Sequence, residues 1–323
     1  MVKAIRIQQY GGPEVMQFED VDLPDPGPGE VRLTHRAISV HFADIMIRQG
    51  VYFIKPDMPA PLGLEAVGVV EALGDGVDNV QVGDRVAYSF NLGSYSQARN
   101  IPSAPLVKVP DGVKDIDAAA CMLRGMTAQY LLRQTYPVKA GDTILVHAAA
   151  GGMGQLLSQW GKHLGAQVIG TVGSDAKVEL AKNNGCDHVI NYSTDDFAKR
   201  VAEITNDEGV QVVYDSVGKD IYEQNVSSLA TLGYFVNYGN SSGPLEPIDP
   251  AELNAKSLFF TKSSLRDYAA KPNGVATMSS EAFGLIAKGV LKVTPQTYAL
   301  EDVAQAHIDM AARNTTGQVV LLP

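Results

Sequence analysis

The order of apolar and polar positions gives the chain two textures. From Met1 to about Asp117, short β-like runs are separated by Gly, Pro and Asp clusters, such as PDPGPGE at 24–30 and GDGVDNVQVGDRV at 74–86. This is the pattern of an irregular, mostly antiparallel lobe. From about Met126, strands alternate with amphipathic helices, as βαβ units on a parallel sheet do. Thr143–His147, Gln167–Val172, His188–Asn191, Val210–Asp215, Gly233–Asn237 and Ser257–Thr261 read as six strands of one sheet. Helices are predicted between them at Gly152–Leu164, Ala176–Asn183, Asp196–Thr205 and Ile221–Ala230. After Lys262 the alternation weakens into a helix around Ser280–Leu291, a strand, a helix from Glu301 to about Ala312 and a closing strand Gln318–Leu322. The tail is expected to return to the first lobe, so that residues 1–125 and 263–323 form one domain and 126–262 the other.

Composition narrows the function classes. The length of 323 residues suggests two domains, and 45% hydrophobic against 19% charged residues reads as ordered and globular. A net charge of −10 repels polyanions over most of a surface, so neither nucleic acid nor an anionic membrane is an expected partner. Cys121 and Cys186 are the only cysteines and neither lies in a CxxC pair, which fits a reducing, cytoplasmic setting. The first ten residues carry Lys3 and Arg6 among alternating apolar positions and read as a strand. No run of about 18 uncharged apolar residues offers a membrane span.

The strongest chemical signal is TILVHAAAGGMGQLLSQWGKHLGAQVIGTV at 143–172. A buried strand ends at His147 and a helix begins near Gly152. The loop between them runs through Ala149, Ala150, Gly151, Gly152 and Met153 to Gly154, and it matches a dinucleotide fingerprint in which Ala149 takes the first glycine position. Small residues there permit a tight turn, close approach of the backbone to a pyrophosphate, and close packing of helix on strand. The helix N-terminus then presents N–H groups and a positive dipole end to the phosphates.

The second strand selects the cofactor. An NAD site places Asp or Glu there to hold the ribose 2′-hydroxyl, whereas this strand ends in Thr171-Val172-Gly173-Ser174. A carboxylate would repel a 2′-phosphate, and its absence leaves room for one. Lys177 and Tyr192 follow and could contact that phosphate, the alternative being an exposed lysine and a half-buried tyrosine. Asp175 must turn aside for the assignment to NADPH to hold.

Taken with YGGPEVMQFED at 10–20, ISVHFADIMIRQGVY at 38–52, PLGLEAVGVV at 61–70, VVYDSVG at 212–218, YGNSSGP at 238–244 and the terminal RNTTGQVVLLP, the chain resembles the medium-chain dehydrogenase/reductase superfamily. Within it, the chain resembles the zinc-free quinone oxidoreductases of the zeta-crystallin type, over essentially its whole length. The resemblance implies an α/β protein with a GroES-like, mostly β lobe and a Rossmann doubly wound parallel sheet. It also implies reduction of quinones by NADPH in the cleft between the two domains, by one-electron or two-electron transfer.

Residue by residue, it places His41, Phe42, Asp44 and Thr127 at the nicotinamide side and Ser216 and Val217 at the adenosine side. Tyr238, Gly239, Asn240 and Ser241 line the nicotinamide region with Phe260, Thr261 and Lys262, and Arg313 lies near the phosphates. Zinc relatives hold their metal with a Cys, the His of a Gly-His-Glu motif and a second Cys. His41, Leu64 and approximately Leu123 stand in those positions here, leaving one ligand where three are needed, so no metal is expected. Cys121, two residues away, reads as an inert buried thiol.

The family usually has Asn at position 41, and His41 adds a ring that titrates near neutral pH or else a neutral packing histidine. Tyr52 either orients or protonates the substrate oxygen or only packs. Ser257–Thr261, as an edge strand, would serve a homodimer. The rival activity is an NADPH-dependent alkenal or enone double-bond reductase. A minor alternative is an AU-rich RNA-binding or structural crystallin-like role, against which the acidic charge speaks.

Overall fold

The computed structural model describes all 323 residues. They form two compact units: Met1–Leu123 with Ala282–Ala287 and Val293–Pro323, and Arg124–Glu281 with Lys288–Lys292.

The first unit is built on β1 (Glu30–Val40). Val31, Leu33, His35 and Ala37 are buried while Glu30, Arg32, Thr34 and Arg36 face outward, the period of a half-buried strand. From Ile38 to His41 both faces are covered and the alternation stops. One residue later the chain turns into α1 (Phe42–Arg48). β1 pairs antiparallel with β2 (Glu65–Leu73), with Ala98–Pro102 and with the C-terminal strand Val319–Leu322. Leu33, Ile38, Val40, Leu64, Tyr88 and Leu321 share its core.

The helix α2 (Asp115–Tyr130) was not legible as one. From Ala118 to Leu132 only Leu123 is not fully buried, so the helix has no polar face to mark its period.

The second unit carries six parallel strands: β3 (Thr143–Val146), β4 (Gln167–Val172), β5 (His188–Asn191), β6 (Val210–Asp215), β7 (Leu229–Asn237) and β8 (Phe259–Lys262). Their order is β5-β4-β3-β6-β7-β8, with α3 (Gly152–His163) following β3. This is the doubly wound order expected from the alternation, and it reverses between β3 and β6. Leu145, Ile169, Ile190, Phe197, Val213 and Phe235 form its core.

Some boundaries differ from the sequence expectation. β7 begins at Leu229 rather than Gly233, and the late helix spans Gly274–Ala287 rather than Ser280–Leu291. The chain rejoins the first unit at Ala282, not at residue 263. Tyr268 stacks on Tyr130 at 4.3 Å between centroids and shares a 2.8 Å hydrogen bond with Thr135, while Gln129 donates to Glu281 at 2.9 Å, so this stretch packs on the second unit. The last helix, α4 (Val303–Ala311), belongs to the first.

Candidate active site

In the second unit the predicted residues gather at the C-terminal ends of the parallel strands, on both sides of the reversal between β3 and β6. After β3 the chain makes a tight turn in which Gly151 N–H donates to the Ala148 carbonyl at 2.8 Å. A Cβ on Gly154 would lie 2.2 Å from that carbonyl oxygen and 2.6 Å from Ala149 Cα, so only glycine lets α3 press this closely onto the loop. Gly151, the N-cap of α3, contributes no side-chain hydrogen bond, and the first turn holds no acidic residue. That terminus suits an anion.

Beneath the loop, His147 is buried with Nδ1 2.9 Å from Thr171 Oγ1 and Nε2 2.6 Å from Asn225 Oδ1. Burial holds its pKa below the usual imidazole range, and the neutral ring ties the end of β3 to β4 and to the helix Tyr222–Ser228 that follows β6.

At the end of β4, a Cβ on Gly173 would lie 2.6 Å from Tyr192 Oη. The tyrosine therefore occupies the space where an acidic side chain would begin. Ser193 Oγ donates to the Gly173 carbonyl at 2.9 Å, and Ser174 precedes the short turn Asp175–Lys177. Asp175 is turned aside, its Oδ1 accepting from Asn191 Nδ2 at 2.8 Å.

The loops after β6 and β7 are laced to each other. Asp215, fully buried, accepts Val217 N–H at 2.7 Å and Asn237 Nδ2 at 2.8 Å. Tyr238 N–H donates to Asp215 O, and Ser241 N–H donates to Ser216 O at 3.1 Å. Lys262 Nζ, from β8, donates to Asn237 Oδ1 at 2.6 Å and Asn240 Oδ1 at 2.8 Å. Gly239 packs its Cα where a Cβ would meet Ser216 O at 2.8 Å. Thr127, on α2, is also buried within this unit, whereas Phe260 and Thr261 are half-buried on β8.

The first unit holds His41, Phe42, Asp44, Tyr52 and Arg313. His41 is buried and its Nε2 is hydrogen-bonded to Glu65 Oε2. The other carboxylate oxygen of Glu65 accepts Leu123 N–H at 2.9 Å. One carboxylate thus ties together two of the three positions where zinc relatives place ligands, while the third, Leu64, is 1% exposed in the apolar core. No group of three His, Cys, Asp or Glu side chains converges anywhere in the chain.

Asp44 Oδ2 accepts His41 N–H at 2.8 Å, as part of a capping box on α1, and Tyr95 Oη at 3.0 Å. Burial raises its carboxyl above the ordinary range. Phe42 is exposed on α1. Tyr52 is half-buried with its ring 4.3 Å from that of Phe53. Arg313 lies exposed just past α4 in a left-handed conformation.

Sequence reasoning assigned no role to Glu65, Tyr95, His307 or Asp215. Glu65 was open to notice, as an acid opening the apolar run of β2.

A GroES-like β unit and a parallel sheet whose loops are shaped for a dinucleotide define a medium-chain dehydrogenase/reductase. The alcohol dehydrogenase GroES-like domain pattern matches residues 27–134, and the zinc-binding dehydrogenase pattern matches residues 152–280. The chain is 46% identical to a quinone oxidoreductase of Pseudomonas aeruginosa, covering all of both chains. It is 44% identical to a 2-haloacrylate reductase of Burkholderia, covering 100% of this chain and 99% of that protein. The structure of the Escherichia coli quinone oxidoreductase complexed with NADPH superposes with a TM-score of 0.95 at 40% identity, over 99% of this chain and 100% of that one. The chain belongs to the quinone oxidoreductase family of that superfamily.

Proposed function

We propose that the chain reduces quinones with NADPH and without a metal ion. The observation that carries the cofactor choice is Tyr192 closing over Gly173, with Lys177 in the next turn: the place of an NAD-type acid is filled by a hydroxyl, and a cation stands close in sequence. Lys177, Tyr192 and Ser174 hold the 2′-phosphate, and the loop Ala149–Gly154 with the start of α3 holds the pyrophosphate. Ser216 and Val217 border the adenosine. Tyr238, Gly239, Asn240, Ser241, Phe260, Thr261 and Lys262, with Thr127, line the nicotinamide end, and Arg313 serves the phosphates.

When bound, NADPH supplies a hydride. The first unit offers His41, Phe42, Asp44 and Tyr52 to the nicotinamide and the acceptor. A quinone is already a strong electron acceptor, so it needs orientation more than a Lewis acid. His41, held by Glu65, fixes the floor of that site, and the Tyr52 hydroxyl or solvent returns a proton to the reduced oxygen. The leucines at positions 64 and 123 leave a donor set too poor for zinc.

A second reading, reduction of a conjugated C=C bond, is favoured by the identity with the 2-haloacrylate reductase. β8, at the sheet edge with Phe259 exposed, serves a homodimer, and the two buried free thiols suit the cytoplasm. No helix is long and apolar enough to cross a membrane.

The test is to follow oxidation of NADPH and NADH by 1,2- and 1,4-quinones and by enals, with and without a chelator. Fast, chelator-resistant turnover of NADPH with quinones is expected. Preference for NADH, or loss of activity with chelator, overturns the reading, and faster turnover of enals selects the second one.

A further inference from the structure

A chain of buried polar groups runs through the first unit from the last residue of α1, by way of α4, back to the first turn of α1. Arg48 Nη1 lies 3.1 Å from His307 Nδ1, His307 Nε2 lies 3.0 Å from Tyr95 Oη, and Tyr95 Oη lies 3.0 Å from Asp44 Oδ2. Asp44 Oδ2 in turn accepts His41 N–H at 2.8 Å. Arg48, His307, Tyr95, Asp44 and His41 are all buried, and His307 is 0% exposed.

The chemistry of the end groups allows one arrangement of protons. A guanidinium only donates, so His307 Nδ1 must accept and its proton must sit on Nε2. Nε2–H then donates to Tyr95 Oη, which leaves the tyrosine's own proton for Asp44. The chain is directed from Arg48 to Asp44 with no ambiguity of tautomer. Burial and the nearby Arg48 push the His307 pKa down to about 3, which keeps the ring neutral.

The path crosses a long stretch of sequence. His307 stands 259 residues from Arg48 and 212 from Tyr95, and it connects the returned tail to the turn that carries His41 and Phe42. Unpaired polar atoms in such a buried network are costly, and here each residue has a partner, with Asp44 Oδ1 left without one. His307 shares the buried face of α4 with Val303 and Ala306 and is the one residue there that carries polar atoms into the network.

We propose that His307 is a positioning residue for the reduction site: as the Nε2–H tautomer it aims the Tyr95 hydroxyl at Asp44 and so fixes the first turn of α1, with His41 and Phe42 on it. The proposal rests on the reading of His41 and Phe42 as site residues. Near-attack geometry is sensitive to displacements of a fraction of an ångström to an ångström. The effect of loosening this turn therefore falls mainly on kcat, because the pyrophosphate loop and the 2′-phosphate and adenosine contacts proposed above lie in the second unit and are untouched by it.

The experiment uses the full chain. Glutamine at 307 offers an amide oxygen to Arg48 and an amide N–H to Tyr95, mimicking the neutral tautomer, whereas leucine offers neither. His307→Leu and Tyr95→Phe are each expected to lower kcat with a quinone roughly ten- to hundredfold, with NADPH Kd changed less than about twofold. His307→Gln is expected to retain most of the rate, and the double variant Tyr95→Phe/His307→Leu to lose no more than either single one.

Ring nitrogen-15 shifts of His307 in the unliganded protein read the tautomer independently of turnover. Full activity of both single variants, additive losses in the double variant, or a His307 protonated on Nδ1 each overturn the proposal. A wild type inert to every quinone overturns the functional reading and this proposal together. An active wild type with indifferent variants removes only this proposal.

Discussion

The Glu65 carboxylate accepts hydrogen bonds from His41 Nε2 and from the Leu123 amide, 2.9 Å away, and it does so fully buried beside the apolar Leu64. Three positions that hold a metal in zinc relatives are here bound by one side chain and one hydrophobic contact. Glu65→Leu would leave the His41 ring Nε2–H and the Leu123 backbone N–H without an acceptor in a buried site. The expected loss is about 3 kcal/mol of unfolding free energy, measured by urea titration. Replacing both partners, in His41→Leu/Glu65→Leu, should recover part of that loss, because two apolar side chains leave no buried charge behind. Simple addition of the two single losses would argue against the pairing.

Lys177 is the cation expected to meet the 2′-phosphate. A hydrogen bond to a charged group contributes roughly 1.5–3 kcal/mol, so Lys177→Ala should weaken NADPH binding about ten- to hundredfold while leaving NADH unchanged. Fluorescence titration with both nucleotides decides it, and an unaltered NADPH/NADH ratio removes Lys177 from the site.

Gly173 tests the same pocket from the other side. The Cβ in Gly173→Asp meets Tyr192 Oη at 2.6 Å, so the tyrosine must swing away, and the new carboxylate faces the space assigned to the phosphate. Loss of both the tyrosine contact and charge complementarity should cost NADPH about a hundredfold or more in Kd. With Tyr192→Ala added to relieve the crowding, NADH should become the tighter ligand. Continued preference for NADPH in the double variant would place the phosphate elsewhere.

How much of this was legible in the sequence follows from what each residue's signal depends on. The six parallel strands were readable because buried runs such as TILV and QVIGTV are bounded by turn residues, and the loop 149–154 because its small residues sit between a strand and a helix. α2 was hidden because it is buried on nearly all sides and lacks a polar stripe. Glu65, Tyr95 and His307 were hidden for a different reason. Each works through partners 24 to 259 residues away, and no local spacing records such a pairing. Asp175, the residue that weighed against NADPH in the sequence, is disarmed by Asn191, which lies on a separate strand.

The two buried neutral histidines of the first unit set a pH limit on folding. Burial lowers His35 to about 4 and His307 to about 3, against an ordinary value near 6.5. His35 is held neutral between Ser96 O at 2.7 Å and Tyr88 Oη at 3.0 Å. Between pH 6.5 and about 4 the unfolded chain binds a proton at each of these positions and the folded chain does not. Stability therefore rises with pH through that window: the contribution is complete above 6.5 and is lost on acidification. Each histidine adds a slope of about 1.4 kcal/mol per pH unit, or roughly 3 kcal/mol over the window. His307→Gln removes one titrating group while preserving its hydrogen bonds, so its urea-derived stability should fall less steeply than the wild type's from pH 6.5 to 4.5 and run parallel to it above pH 7.5. Parallel curves across the acid range would mean that His307 is protonated in the folded state, contrary to its contact with Arg48.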